Sequence, residues 1–523
     1  MVPRMKFPGL LIGLASCLLL IPPSYAGWRI FKPRPKLGKA IQALLASSPA
    51  HHGRLGVEVV RLRDQKVLYA RDAEQLFQPA SNMKLFTTAC ALEKLGPDFT
   101  YRTTVNAANP PDPSGRVGDI FLVGRGDPDL SNRVLPYHLK TERKGPADAA
   151  FQQLAGQMAS RGVKVVAGNI VVAESYFRGS PFPPDWAVDD LVWGYGAPVA
   201  ALTFNDNQLL LHIRPGSAIG LPASITVDPL PRYYTIRGEV ETVAANEPRK
   251  IDLTRPPGSR TLTVRGQIPL GGTVDEETIA IQNPAKAIGD LFRQDLEQRG
   301  IRVLGHVVVE DATPGGPVPS MHPVILAERE SPPLGEDIQM TLKVSQNLHA
   351  EMLLRTLARR LSGDGSRKAG IKILDQYVEG FGVTPHEVYF VDGSGLSRAV
   401  LASPAAIVKL LIHMSGSPEF PVFKEALPVA GVDGTLSDRF KGTPAQGHIL
   451  AKTGTIEHVN SLSGYMDLPQ GGVLAFSILL NDNPLPGNQG EALVDRVALR
   501  IFKAYAKSRK AAIPSAHGSV PAA

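Results

Sequence analysis

Cysteine is nearly absent. The chain has two, Cys17 and Cys90, in 523 residues. Cys17 lies in an apolar N-terminal stretch that is expected to be removed, which leaves Cys90 alone. An internal disulfide is then excluded, and stability has to come from the size of the core. Aromatic residues make up only 6%, and no Lys/Arg run interleaves with them. The net charge of +7 is scattered along the chain. Nucleic acid is therefore not the expected partner; a mild basic excess fits a solvated surface or an anionic cell envelope. Beyond the N-terminus no stretch is apolar enough to cross a bilayer. The histidines, including His51-His52, show no ligand spacing such as H-E-x-x-H, so no metal is expected. No internal repeat is present.

What is present describes a large globular chain. Hydrophobic residues are 43% and charged residues 20%, which excludes wholesale disorder. The length suggests about three domains. Fifty glycines and 45 prolines predict many turns between short elements. Arg4 and Lys6, then the apolar run Leu10–Pro22, then Ser24-Tyr25-Ala26 read as a secretory signal over 1–26, cleaved after Ala26. The alternative is an uncleaved anchor. Leu14-Ala15-Ser16-Cys17 resembles a lipobox, but the apolar run continues past Cys17. The expected location is outside the cytoplasm, in a periplasm or cell envelope.

Periodicity predicts strands at Leu55–Val60 and Val67–Ala70, then a helix from Ser81 to Leu95, stopped by Gly96-Pro97. From about 104 to 325 short β-like runs dominate, such as Ile120–Val123, Ile170–Val172 and Leu209–Ile213, with helical stretches near Ala147–Arg161 and Ala285–Arg299. From Leu334 the pattern is helical: Ile338–Val344, Leu348–Leu361, Ile371–Phe381 and Pro404–Met414. Strands follow at His448–Gly454 and Val473–Leu480, then an amphipathic helix at Glu491–Lys507. The Ala/Ser/Pro-rich tail 509–523 is expected to be disordered.

Three short motifs occur once each. Ser81-Asn82-Met83-Lys84 is an S-x-x-K, and on a helix i and i+3 share a face, so the amine can reach the hydroxyl. A serine is a weak nucleophile until an adjacent base activates it, and lysine is a base only when neutral. Ser345-Gln346-Asn347 is an S-x-N between two helical stretches. Its hydroxyl can relay a proton and its amide can bind a peptide group; alternatively Ser345 simply caps the helix that follows. Lys452-Thr453-Gly454-Thr455 is a K-T-G-T on a strand. Lys452 and Thr453 suit a carboxylate, and Gly454 would let a substrate backbone approach closely.

The three motifs in this order resemble the signature of penicillin-binding proteins and serine β-lactamases. Ser81 and Ser345 are 264 positions apart. So large an insertion resembles the class C (type-4) low-molecular-mass penicillin-binding proteins, which are D-alanyl-D-alanine carboxypeptidases and endopeptidases. Gly124–Leu130, Tyr195–Pro198, Phe204–Asn207, Asp392–Arg398 and Leu427–Leu436 also look like segments of that family. One segment departs from it. Gly168–Phe177 reads G-N-I-V-V-A-E-S-Y-F, with Ala173 where an acid is expected. Glu174 keeps a second acid and is a candidate for recognising the end of the peptidoglycan side chain.

The resemblance implies an α+β fold with an antiparallel sheet flanked by helices. Residues 27–103 and 326–508 would form the catalytic domain. Residues 104–325 would form an insertion of one or two β-rich domains, the inner one roughly 205–280. It implies a serine D,D-peptidase acting on peptidoglycan peptide stems and acylated by β-lactam antibiotics. Lys84 would take the proton of Ser81, and Ser345 would relay it to the leaving D-Ala. Asn347 would hold the substrate amide, and Leu396 would line the pocket. Lys452, Thr453 and Thr455 would bind the terminal carboxylate, with Lys452 also depressing the Lys84 pKa by charge repulsion. Ser81 and Thr455 amides would form the oxyanion hole. The alternatives are a β-lactam or ester hydrolase of the same fold, and a non-enzymatic envelope-binding protein. The basic C-terminal segment (Lys503, Lys507, Arg509, Lys510) is a candidate peripheral membrane contact.

Overall fold

The computed structural model describes residues 35–131, 133–137, 145–310 and 324–506. The expected signal 1–26, the tail 509–523 and Lys507, Arg509 and Lys510 lie outside the described residues.

Five antiparallel strands form the central sheet, in the order Lys66–Arg71, Arg54–Arg61, Val473–Asn481, Val459–Asp467, Ile449–Ile456. Strands from the two ends of the chain therefore pair, with Val57 opposite Ile478. The strand V-L-A-F-S-I-L-L-N is covered on both faces, and alternate residues go to different cores. Phe476, Ile478 and Leu480 pack with helices Pro35–Ala46 and Gly487–Tyr505. Ala475 and Leu479 pack with helices Met83–Leu95 and Pro404–Ser415 on the opposite face. The sequence V-N-S-L-S-G-Y-M-D at 459–467 does not alternate and predicts no strand. It is one because its serines meet polar partners across the sheet. Ser463 Oγ donates to Ser477 Oγ at 2.9 Å, and Asn82 Nδ2 donates to Ser463 Oγ at 2.8 Å.

Helix Met83–Leu95 is buried at every position from Met83 to Leu92, so its apolar residues are not confined to a stripe. Gly96, at φ 85°, ends it by donating its N–H to Leu92 O at 3.0 Å. Ser81 is not yet in this helix. It sits on the single 3-10 turn Ala80–Asn82 that leads in.

Described residues between 105 and 327 build a second apolar core as one cluster. Its main sheet runs Val307–Glu310, Ile170–Ala173, Ile120–Val123, Arg102–Ala107, Val324–Glu330, with the first three strands parallel. Helices Ala149–Ser160 and Pro284–Gln298 add Leu154, Met158, Ile288 and Phe292 to this core. The stretch 205–280 carries strands of two smaller sheets, yet its Leu209, Leu211 and Val264 join the same cluster. Strands Arg102–Ala107 and Val324–Glu330 pair antiparallel, Arg102 opposite Glu330, so the chain leaves and rejoins the first body side by side. The boundaries expected at 103/104 and 325/326 fall inside these paired strands. Cuts before Arg102 and after Glu330 keep the pair whole.

Candidate active site

Three elements converge on Lys84. Its Nζ lies 2.8 Å from Ser81 Oγ, 2.6 Å from Asn347 Oδ1 and 2.9 Å from the Ser394 carbonyl. The amine is wholly buried. Burial disfavours the ammonium and lowers its pKa from 10.5 to about 7, against the opposing pull of Asp392 and Glu351. Desolvation carries the shift, and Lys452, expected to help by charge repulsion, is not among its causes. The repulsion tells on Lys452, where burial, then Lys84 and Arg439, hold the pKa well below the lysine value.

The second motif forms an abrupt turn. Helix Leu334–Gln339 runs on into a π-helical turn, Met340–Val344, and the chain then reverses at Ser345. Ser345 has φ 67°, a left-handed conformation that costs a non-glycine residue about 1–3 kcal/mol unless its neighbours hold it. Gln346, not Ser345, caps the next helix, Asn347–Ser362. Its Oε1 accepts from Leu348 N at 3.2 Å. That frees the Ser345 hydroxyl, which receives a hydrogen bond from Lys452 Nζ at 2.8 Å. The Asn347 amide donates through Nδ2 to the Tyr195 carbonyl at 2.9 Å, which leaves Oδ1 facing Lys84.

The third motif lies on the edge strand Ile449–Ile456. Lys452 is buried, and its amine also donates to Thr453 O at 2.8 Å. Thr453 Oγ1 donates to Thr435 Oγ1 at 2.7 Å. The Thr455 hydroxyl is turned away to Glu491 Oε1, also at 2.8 Å. Gly454 also has a packing reason to be glycine. A Cβ there would come within 2.2 Å of Ser461 Oγ and 2.9 Å of Pro79 O. What approaches Gly454 most closely is Ser461 on the neighbouring strand, then the turn that carries Ser81.

Ser81, Ser345, Asn347, Leu396 and Thr455 line one cavity of about 830 Å³. Lys84, Lys452 and Thr453 stand behind this surface. Glu174 is not among the lining residues. Its Oε2 accepts from Ala201 N at 3.3 Å, its Oε1 is buried without a partner, and burial raises its pKa to about 7. It props the loop through Ala201 and does not reach the cavity. Ala173 is buried as well.

Some contributors were not legible as site residues. Asp392–Ser397 wraps around two carboxylates. Glu351 Oε1 accepts from Gly393 N and Ser394 N, each at 2.8 Å. Asp392 accepts from Gly395 N and Ser397 N, each at 2.7 Å. This holds the Ser394 carbonyl on Lys84. A D-G-S-G run signals a turn, but its target is visible only in three dimensions. Thr435 lay in a segment singled out by resemblance, with nothing to assign it a contact. Among the described residues, Asp129, Asp337 and His349 bring three metal-ligand-type atoms within 4.8 Å, outside this cavity. His349 Nδ1 already meets Asp337 Oδ1 at 2.6 Å. Burial opposes the imidazolium, but Asp337 and Asp206 outweigh it and raise the pKa to about 10.

A buried lysine on a serine, backed by an S-x-N turn and a K-T-G strand, defines the penicillin-binding class of serine acyl-transfer fold. The chain belongs to the D-Ala-D-Ala carboxypeptidase 3 (S13) family, whose pattern matches residues 37–499. It is 34% identical over 478 residues to a D-alanyl-D-alanine carboxypeptidase from Actinomadura sp. (strain R39), covering 89% of this chain and 84% of that one. It is 25% identical over 409 residues to the D-alanyl-D-alanine carboxypeptidase DacB of Haemophilus influenzae, covering 77% and 80%. The fold matches the crystal structure of penicillin binding protein 4 (dacB) from H. influenzae with a TM-score of 0.76 at 23% identity, over 90% of this chain and 99% of that one.

Proposed function

We propose that this chain is a serine D,D-peptidase that cleaves the bond after a D-Ala in peptidoglycan peptide stems, and that penicillins acylate it at Ser81. The observation that carries this is the 2.8 Å contact between a buried Lys84 amine and Ser81 Oγ. A neutral amine has two N–H donors and one lone pair. Asn347 Oδ1 and the Ser394 carbonyl take the two donors. The lone pair then faces the Ser81 hydroxyl and takes its proton as the oxygen attacks the penultimate D-Ala carbonyl. The developing oxyanion is held by the amides of Ser81 and Thr455, where losing one donor commonly costs about 10²–10³ in rate.

Ser345 carries the proton to the leaving D-Ala amine, since its hydroxyl lies in the cavity and bonds to Lys452. Asn347 binds the substrate amide. Thr453 and the Lys452 amine, as hydrogen-bond donors, receive the terminal carboxylate. Thr455 Oγ1 joins them only by leaving Glu491. Leu396 packs on the acyl side. Water then releases the acyl group. No described helix is long and apolar enough to cross a membrane; with the N-terminal signal pattern, the enzyme works outside the cytoplasm.

The test is to incubate the protein with a monomeric pentapeptide ending in D-Ala-D-Ala and with a cross-linked muropeptide dimer. Release of D-Ala or of monomers, abolished in Ser81→Ala, is expected. Fast penicillin hydrolysis with neither peptide cleaved would replace this reading with a β-lactam hydrolase. Tight muropeptide binding without acylation would make the chain a binding protein.

A further inference from the structure

The Ser345–Asn347 turn is strained, yet its position decides where a hydroxyl and an amide meet Ser81. Its sequence supplies one stabilising contact of its own, the Gln346 cap. Lys452 and Lys84 donate to its Ser345 and Asn347 side chains, and its further supports come from residues 195–206, on the far side of the chain's first departure from the central body. Asn205, Asp206 and Asn207 all have positive φ, at 52°, 56° and 53°. Asn and Asp are the non-glycine residues that tolerate this conformation best, but three in a row need fixing. Each Asn supplies it: Asn205 Nδ2 donates to Gln208 O at 2.6 Å, and Asn207 Nδ2 donates to Pro198 O at 2.9 Å. The result is to aim the buried carboxylate of Asp206 at the second motif. Its Oδ2 receives Gln346 Nε2 at 3.2 Å and Arg133 Nε at 2.9 Å. Its Oδ1 lies 3.4 Å from His349 Nε2, on the first turn of the helix that Gln346 caps.

We propose that Asp206 and Gln346 form a positioning clamp, through which the Asn205–Asn207 loop holds the Ser345–Asn347 turn in its reactive shape. Gln346 uses both ends of its amide. Oε1 caps the helix at Leu348 N, and Nε2 ties the turn to Asp206. Tyr195 completes the grip, because its carbonyl fixes which end of the Asn347 amide faces Lys84. The segment between the first two motifs thus acts as a brace for the second motif. Asp206 and Gln346 touch no reacting atom; they act through Ser345 and Asn347. The inference rests on the D,D-peptidase reading.

The experiment measures the second-order rate of acylation by a fluorescent penicillin, the final labelling stoichiometry and the melting temperature. Wild type, Gln346→Ala, Gln346→Lys and Gln346→Glu are compared. Asp206→Asn is avoided as the sole test, because it also uncouples Arg133 and His349. Displacements of about an ångström can cost 10²-fold, so Gln346→Ala is expected to slow acylation roughly tenfold or more, with the final stoichiometry retained. Gln346→Lys keeps a donor for Asp206 and is expected to regain part of the rate. Gln346→Glu sets a second carboxylate against Asp206 and is expected to be slowest. A purely structural role would not order the variants by what they offer Asp206. Wild-type rates in all three variants, or Glu as fast as Lys, would overturn the clamp. A wild type that no penicillin labels would instead overturn the D,D-peptidase reading.

Discussion

A lysine amine can act as a base only while uncharged, and the surroundings of Lys84 decide that. Burial brings its pKa to about 7, so the neutral fraction grows as pH rises through that value. The acylation rate is expected to climb between about pH 6 and 8 and then level off, as measured with a chromogenic β-lactam. A rate independent of pH across that range would mean that another group takes the proton. Lys84→Met fills the same buried channel without a base. It is expected to lower acylation by about 10²–10⁴-fold, the usual worth of a general base, while circular dichroism stays that of the wild type. Glu174 gives a prediction of the opposite kind. Glu174→Ala removes the acceptor of the Ala201 amide and should lower the melting temperature. The relative rates on stem peptides with and without a free side-chain amine should not change. The difference between these residues was only partly legible in the sequence. The Ser81–Lys84 contact is local, i to i+3, and helical geometry announces it. The Glu174 contact depends on a loop 27 positions away, and a strand pattern says nothing of which loop covers it.

At the scale of elements, the site is a junction between a turn, a second turn and a strand edge. The contact that joins two of them is the absence of a side chain at Gly454. Gly454→Ala would drive a methyl into Ser461 Oγ and toward the Pro79 carbonyl. The expected result is a displaced Ser81 turn, acylation slowed at least tenfold, and a lower melting temperature. A variant acylated at the wild-type rate would show that the turn tolerates the displacement. Most elements follow from local pattern: the helix Pro404–Ser415 and the strand Val473–Asn481 stand within a residue of expectation. Elements whose residues are chosen for cross-chain contacts do not. The strand Val459–Asp467 is read as polar because its serines pair across the sheet and with Asn82. The π turn before Ser345 breaks the helical period at the point where the motif must change direction.

At the scale of the whole molecule, length was the most informative simple property. It placed more than 200 residues between two motifs that meet at one lysine. What it could not show is that the chain departs and returns on paired strands, since register across such a distance has no local signal. A global property follows from the buried acids. Burial raises the pKa of Glu58, Glu174 and Glu351 to about 7 each. A carboxyl whose pKa is raised on folding stabilises the fold below its unfolded value, near 4.5, and loses that contribution as pH rises through its folded value. The melting temperature is therefore expected to be higher at pH 5 than at pH 7.5, as read by differential scanning calorimetry. A maximum above pH 7.5 would show that these carboxyls are ionised in the fold.

The central claim is that Ser81 is the acylated nucleophile, and intact-protein mass spectrometry with a penicillin tests it most directly. One adduct per wild-type chain is expected, mapped by digestion to the peptide that contains Ser81 and absent from Ser81→Ala. An adduct that persists in Ser81→Ala, or that maps to Ser345 or Ser394, would contradict the account.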